Sequence, residues 1–172
     1  MIKKRERKGL MLVLSSPSGA GKTSICRKIL ELENDVAMSV SYTTRKKRKS
    51  EKNGIDYFFV SSDKFEKLKN ESFFIEYAKV FDNWYGTPKT IVKEHINNGI
   101  DVVFDIDWQG AQKLYSFSST DVVSIFILPP NNKALSRRLK SRAEDSDDTV
   151  LLRMSKAKSE ISHWMEYDYV LI

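Results

Sequence analysis

The chain of 172 residues is poor in cysteine, glycine, proline and histidine, with 1, 7, 4 and 2 of them, and it lacks a long apolar run. The lone Cys26 cannot form an intrachain disulfide, so we expect a protein of a reducing compartment, the cytoplasm. No stretch approaches the roughly 20 apolar residues of a membrane-spanning helix, and we therefore predict no membrane partner. His95 and His163 fall in ordinary helical patterns and receive no catalytic role.

The remaining composition is typical of one globular domain, with 41% hydrophobic and 30% charged residues. A basic segment, 3–8, precedes apolar Leu10–Leu14, which is too short for a secretory signal; a short basic organelle presequence stays an alternative. The net charge of +6 fits either a nucleic-acid surface or clefts for small phosphorylated molecules. Because the basic clusters, at the amino terminus, at 45–49 and around Arg137, lack interleaved aromatic residues, we predict no nucleic-acid partner.

Short apolar runs alternate with helical patterns along most of the chain. Strands are predicted at Leu10–Ser15, Val36–Ser41, Asp56–Val60, Phe73–Val80, Val102–Ile106, Val122–Leu128 and Tyr169–Ile172. Helices are predicted at Lys22–Glu33, Ser62–Asn70, 87–98, Gln109–Phe117, Asn131–Ser141 and Asp148–Met165, with an acidic loop at 143–148. The alternation predicts an α/β fold whose parallel sheet is flanked by helices, and the strand-rich stretch 42–87 predicts an inserted antiparallel subdomain. Thr87 before Pro88 is expected to cap a helix.

A phosphate-binding loop follows the first predicted strand. The motif G-x-x-x-x-G-K-S/T is matched from Ser16 to Thr23 at every position but the first, where serine replaces glycine. Pro17 holds residue 16 in extended geometry, which serine adopts freely, so we expect the loop to form. In this interpretation Lys22 reaches the β and γ phosphates of a nucleoside triphosphate, and Thr23 binds Mg²⁺. The motif identifies a nucleotide site but no particular reaction.

Five further motifs occur in a fixed order, and together with the loop they span nearly the whole chain from Leu10 onward. They are Ser39–Arg45 with Arg48, Asn53–Tyr57, Phe74–Glu76, Trp84–Thr87 and Asp105–Gly110. In identity, order and spacing they resemble the guanylate kinases, which are P-loop nucleoside monophosphate kinases. The resemblance implies a P-loop NTPase-type core at 9–41, 88–135 and 155–172, a mixed α+β GMP-binding subdomain at 42–87, and a helical lid at about 136–154, within one domain.

The resemblance also implies the roles of individual residues in a site for GMP and ATP. Four side chains are expected to hold the GMP phosphate: Arg45, Arg48, Tyr57 and Tyr85. Guanine is expected to be read by Ser41, Glu76 and Thr87. ATP is assigned to the loop, comprising Ser16, Pro17, Ser18, Gly19, Ala20, Gly21, Lys22, Thr23 and Ser24. Asp107 is expected to contact GMP, and Asp105 or Asp107 to contact Mg²⁺ through water.

Phosphoryl transfer between these nucleotides requires charge stabilisation more than covalent chemistry. Lys22 and the lid residues Arg138, Arg142 and Arg153, which match lid arginines of the family, are expected to share the transition-state charge. The attacking phosphate oxygen of GMP is already anionic, so no general base is required, although Asp107 is placed among the catalytic residues. The family's chains continue past the position of Ile172, so the resemblance assigns no adenine contact.

Other functions fit parts of the same pattern. A non-catalytic guanylate kinase-like interaction module would bind protein partners through the GMP cleft, but such modules typically lack the loop or lid residues present here at Lys22, Thr23, Arg142 and Arg153. A kinase for AMP or TMP is the nearest enzymatic alternative. The expected substrates are ATP and GMP, with dGMP as an open case, and the assembly is expected to be a monomer or homodimer.

Overall fold

The structure is a computed structural model that describes residues 7–141 and 147–172. Its strands are β1 (Met11–Ser15), β2 (Val36–Met38), β3 (Tyr42–Thr43), β4 (Phe58–Phe59), β5 (Phe74–Val80), β6 (Asn83–Pro88), β7 (Asp101–Asp105), β8 (Val122–Ile127) and β9 (Tyr169–Leu171). Its α-helices are α1 (Lys22–Leu32), α2 (Ser62–Asn70), α3 (Lys89–Asn97), α4 (Trp108–Phe117), α5 (Asn132–Ser141) and α6 (Asp147–Ser162), and a 3-10 helix follows at His163–Glu166.

The larger sheet is parallel throughout, in the order β2-β7-β1-β8-β9. Successive strand residues point to opposite faces of the sheet, so a continuous apolar run places apolar side chains on both faces. Val13 and Phe104 contribute to the core on one face, and Leu14 and Val103 to the core on the other. The predicted α/β class, with a parallel sheet between helices, is confirmed, and the carboxyl ends of β1 and β7 meet at one edge.

A second sheet lies between β2 and α3 in the sequence, in the order β4-β3-β6-β5. Its core is aromatic: Phe65 of α2 stacks on Phe74 at 4.6 Å between ring centroids and on Trp84 at 5.9 Å. β3 pairs with β6 and β5 with β6 in antiparallel fashion, whereas β3 and β4 are parallel. The expected strand-rich inserted subdomain is present, but its sheet is mixed rather than wholly antiparallel, because the chain returns through the connection at 44–57 to pair β4 beside β3 in parallel.

Most predicted elements have the observed bounds to within two residues. The strands β3 and β6 were not predicted, and the strand expected at Val36–Ser41 ends at Met38. The strand expected at Asp56–Val60 shortens to β4, and the helix expected to end at Met165 ends at Ser162 and tightens into a 3-10 turn. Thr87 does not cap a helix: it belongs to β6, and its hydroxyl donates to Glu76 Oε1 at 2.7 Å. Arg142 and most of the predicted acidic loop at 143–148 lie outside the described residues.

Within the described ranges, none of the helices combines the length and apolarity that a membrane crossing requires.

Candidate functional site

The loop between β1 and α1 has the conformation of an anion cradle. Gly19 and Gly21 have φ values of 92° and 108°, which residues with a Cβ rarely adopt, and the Ala20 N–H donates to the Pro17 carbonyl at 3.1 Å. This turn directs main-chain N–H groups and the amino end of α1 toward one point. Ser16 has no positive φ, so the replacement of the motif's first glycine leaves the turn intact.

Lys22 and Thr23 both contact the carboxylate that ends β7. Lys22 Nζ lies 3.0 Å from Asp105 Oδ1 and donates to the Ile106 carbonyl at 3.0 Å, while Thr23 Oγ1 donates to Asp105 Oδ2 at 2.7 Å. Burial opposes the charge of Lys22, but the adjacent Asp105 carboxylate raises its pKa above the ordinary value. Among the described residues no three acidic, cysteine or histidine side chains form a metal cluster. The oxygens of Thr23 and Asp105 nevertheless fit Mg²⁺, which uses few protein ligands.

Side chains from α5 and α6 reach the cradle from the other side. Arg138 Nη1 donates to the Ala20 carbonyl at 2.7 Å, and Arg153 Nη1 donates to Ser18 Oγ at 3.2 Å. Glu160 accepts a hydrogen bond from the Ser18 N–H at 3.1 Å, and burial raises the pKa of this carboxyl. The sequence predictions did not include Glu160. Its spacing of seven residues from Arg153 on one helix was the available signal.

Two predicted phosphate-binding arginines are held by one carboxylate. Arg45 Nη2 lies 2.6 Å from Glu51 Oε1, and Nη1 donates to Oε2 at 3.1 Å. The Arg48 N–H donates to Glu51 Oε2 at 2.8 Å, and Arg48 Nη1 lies 3.6 Å from Oε1. Despite partial burial, these contacts lower the pKa of Glu51. Glu51 was missed by the sequence predictions because a glutamate in a basic loop looks like a solvated surface charge.

Two tyrosines flank this arginine pair. The rings of Tyr57 and Tyr85 lie 5.9 Å apart between centroids, and Arg45 Cζ lies 5.4 Å from the centroid of Tyr57. Burial raises the pKa of Tyr57 above its usual range, so its hydroxyl stays protonated and can donate. The cluster presents cationic and hydroxyl donors together, which is the arrangement that a phosphate dianion requires.

A buried chain of polar side chains runs behind the tyrosines. Ser41 Oγ lies 3.0 Å from Thr87 Oγ1, which donates to Glu76 Oε1 at 2.7 Å. Burial raises the pKa of Glu76 to about 7, although the Thr87 hydroxyl stabilises its charged form. Asp107 also raises this pKa and Lys113 lowers it. A buried carboxylate with a fixed hydroxyl neighbour offers acceptors and a donor to a planar polar ring.

Asp107 lies between the two halves of the site. Its Oδ1 accepts from the Gly110 N–H at 3.0 Å, which caps α4, and its Oδ2 accepts from Gln109 Nε2 at 3.1 Å. The side chain that the resemblance assigns to a nucleotide contact is therefore held in place as a helix cap.

A single cavity of about 270 Å³ joins the cradle to the arginine and tyrosine cluster. Residues of the cradle side that line it are Ser16, Pro17, Ser18, Gly19, Gly21, Lys22, Thr23, Asp105, Ile106, Asp107, Arg153 and Glu160. Residues of the second sheet and its loops that line it are Ser41, Arg45, Arg48, Tyr57, Glu76, Ala78, Val80, Phe81, Asn83 and Tyr85. Thr87 lies one layer behind, through its bonds to Glu76 and Ser41. Ala20, Ser24 and Arg138 belong to the cradle and its contacts rather than to the cavity lining. Two clusters of hydrogen-bond donors suited to anions thus face one space.

Comparison with known proteins identifies this architecture. A family model described as guanylate kinase matches residues 8–172. The chain belongs to the guanylate kinase family. It is 53% identical over 166 residues to a guanylate kinase of Paramagnetospirillum magneticum, covering 96% of this chain and 78% of that one. It is 48% identical over 166 residues to a guanylate kinase of Rickettsia bellii, covering 96% and 86%.

A solved structure agrees with the fold as well as the sequence. The crystal structure of guanylate kinase from Anaplasma phagocytophilum superposes with a TM-score of 0.81 at 40% identity, covering 96% of this chain and 77% of that chain. The resemblance that the ordered motifs carried is therefore confirmed, as are the guanylate kinase type of P-loop fold and its place among the phosphotransferases.

Proposed function

We propose that the protein is an ATP:GMP phosphotransferase that moves the γ-phosphoryl group of ATP to GMP in line, giving ADP and GDP. The observation that carries this proposal is the shared cavity, in which the cradle at Lys22 and the arginine pair at Arg45 and Arg48 face the same space. A donor and an acceptor phosphate bound there need no covalent enzyme intermediate. The family of the chain supports the same reaction.

On the acceptor side, the GMP phosphate binds to Arg45, Arg48, Tyr57 and Tyr85. Glu51 fixes both arginines, so their guanidinium groups lose little freedom when the phosphate binds. Arg45 already makes a two-point contact with a carboxylate, which is the geometry that it offers to a phosphate. A phosphate approaching this pair competes with Glu51 for part of its hydrogen bonding.

Guanine is read by Glu76, with Ser41 and Thr87 beside it. The ionised carboxylate accepts from N1–H and the 2-amino group of guanine, while a hydroxyl donates to O6. Adenine offers an unprotonated N1 and no 2-amino group, so the buried charge of Glu76 would lack the two donors that guanine supplies. Sites built on such complementarity discriminate by about 10⁴-fold or more.

On the donor side, the residues Ser16–Ser24 bind ATP, with main-chain N–H groups around its phosphates. Lys22 and Arg153, together with Arg138 and Arg142 of the lid, stabilise the charge on the transferring group. Thr23, with Asp105 or Asp107 through water, would hold Mg²⁺, which would neutralise phosphate charge. The attacking oxygen of GMP is anionic, so no side chain has to remove a proton from it.

Productive transfer requires that water is kept away from the donor phosphate. We assign this to closure of the subdomain at 42–87 and the lid at about 136–154 over the core at 9–41, 88–135 and 155–172. We place the reaction in the cytoplasm and in purine nucleotide metabolism, with a monomer or homodimer as the working assembly.

A coupled assay of ADP release tests the proposal. Purified protein with Mg-ATP is offered GMP, dGMP, AMP and TMP in parallel, and Lys22→Ala serves as the inactive control. We expect turnover with GMP far above that with AMP and TMP. The rate with dGMP in the same assay shows whether the enzyme accepts the deoxynucleotide. Binding of GMP without ADP release would instead indicate a non-catalytic interaction module.

A further inference from the structure

The turn that joins β5 to β6 is sterically unfavourable for its sequence. Val80 pairs with Asn83, which leaves a two-residue turn at Phe81 and Asp82, and their φ values are 46° and 66°. Two positive φ values are what a type I′ hairpin turn requires, and asparagine and glycine normally supply them. A phenylalanine in the left-handed region is an outlier that the surroundings must hold in place, and such outliers point to function.

The ring of Phe81 lies against two cations of α6. Lys156 Nζ is 4.4 Å and Arg153 Cζ is 5.6 Å from the ring centroid, both within cation–π range. The two residues are three apart on the helix and therefore share one face. Phe81 also lines the shared cavity. The hairpin of the second sheet thus contacts the helix that closes the other half of the site.

The same face of α6 holds the phosphate cradle. Arg153 donates to the hydroxyl of Ser18, and Glu160, two turns further along, accepts from the N–H of Ser18. One segment of α6 therefore contacts both the loop that would hold ATP and the hairpin of the subdomain that would hold GMP. Movement of either part relative to the other has to break or remake the contacts at Phe81.

We propose that Phe81 is a positioning residue that couples the binding of the two nucleotides. This inference rests on the proposed function. GMP, by holding the second sheet against the core, stabilises the arrangement in which Phe81 contacts Arg153 and Lys156 and α6 lies against the cradle. ATP, by ordering the cradle and α6, presents the two cations to Phe81. Because coupling between sites is reciprocal, each nucleotide raises the affinity for the other by the same factor.

Phe81→Leu and Phe81→Tyr separate this role from packing and strain. Both replacements keep a Cβ, so the cost of the positive φ is matched, but only tyrosine keeps an aromatic face for the cations. The measurement is the Kd of GMP, by calorimetry, with and without a non-hydrolysable ATP analogue. We expect Phe81→Leu to reduce the coupling factor by about threefold to tenfold, the range of one or two exposed cation–π contacts, and Phe81→Tyr to keep it.

Lys156→Met tests the same contact from the other side, and it keeps the inference testable should the Phe81 variants fold poorly. Its matched control is Lys158→Met, which removes an exposed lysine two positions along α6 and so on a different face. We expect Lys156→Met, but not Lys158→Met, to weaken the coupling, with the Kd of GMP alone little changed. Thermal unfolding of each variant verifies that the fold is retained.

Failure of this inference can be distinguished from failure of the proposed function. Full coupling in both Phe81→Leu and Lys156→Met, in a protein that still makes GDP, would overturn the role of Phe81 and leave the proposed function standing. Failure of the wild-type protein to make GDP would overturn the proposed function itself. Equal loss of coupling in Lys156→Met and Lys158→Met would also contradict the inference, since general charge on α6 would then be responsible.

Discussion

Replacement of Glu76 by glutamine should alter both the pH dependence of folding and that of GMP binding. The Glu76 side chain is buried, and burial raises its pKa from 4.5 to about 7. Thr87 and Lys113 favour the charged form, whereas Asp107 opposes it. A rise of this size corresponds to on the order of 3 kcal/mol that favours the protonated folded protein.

The raised pKa of Glu76 determines how the stability of the fold changes with pH. Below about pH 4.5 the carboxyl is protonated in both states, so the full stabilisation is present. As the pH rises toward about 7, the unfolded chain ionises while the folded protein retains its proton, and that stabilisation is lost. The Glu76→Gln variant has no titrating group at this position, so it lacks this pH-dependent contribution to stability. Its Tm relative to wild type should therefore rise with pH, by roughly 5 to 10 °C between pH 4.5 and pH 8.

GMP binding should show the opposite trend in the wild-type protein. Only the ionised carboxylate accepts from guanine, so the affinity for GMP should fall by up to about tenfold for each pH unit below 7. The GMP phosphate also titrates, near about pH 6. This titration affects binding to wild type and to Glu76→Gln alike, so the variant serves as the control for it. Calorimetric titration from pH 5.5 to 8.5 measures both proteins. Identical pH profiles of wild type and variant would refute the ionised carboxylate as the group that reads guanine.

Three further predictions concern the ends of the cavity and the core. Lys22→Ala should abolish phosphoryl transfer while leaving the Kd of GMP within about threefold, and turnover at the wild-type rate would exclude the cradle as the donor site. Glu51→Gln should raise the KM for GMP by about tenfold with a smaller change in kcat, because Arg45 loses its charged partner; Glu66→Gln, at an exposed position of α2, is the matched control and should leave the KM unchanged. Cys26 is buried and burial raises the pKa of its thiol to about 12, so iodoacetamide should label it only after unfolding; rapid labelling of the native protein would contradict this placement.

The parts of the fold that depend on neighbours in sequence were predictable. Ser62–Asn70 was predicted with the bounds that α2 has, since Ser61 caps it and its apolar residues recur at helical spacing. The phosphate cradle was predictable for the same reason: its glycines, Lys22 and Thr23 are contiguous and their geometry follows from local backbone rules. The parallel sheet followed from apolar strands that alternate with helices.

The parts that depend on tertiary contacts were not predictable. Thr87 before a proline has the sequence of a helix cap, but the buried Glu76 offers its hydroxyl a stronger partner. Glu51 lies close in sequence to its partners Arg45 and Arg48, but the sequence does not distinguish it from a solvated charge in a basic loop. Glu160 and Phe81 acquire their roles from residues that the fold brings to them. Glu160 and Phe81, for example, both meet the site through contacts with α6 or the cradle across long sequence separations.

Titration with a bisubstrate compound tests the shared cavity most directly. The compound joins adenosine and guanosine through an oligophosphate chain long enough to reach both anion-binding groups. If the cradle and the arginine pair open onto one space, one molecule should bind per chain and should compete with both ATP and GMP. Binding of two molecules per chain, or competition with only one of the nucleotides, would contradict a direct passage of the phosphoryl group between them.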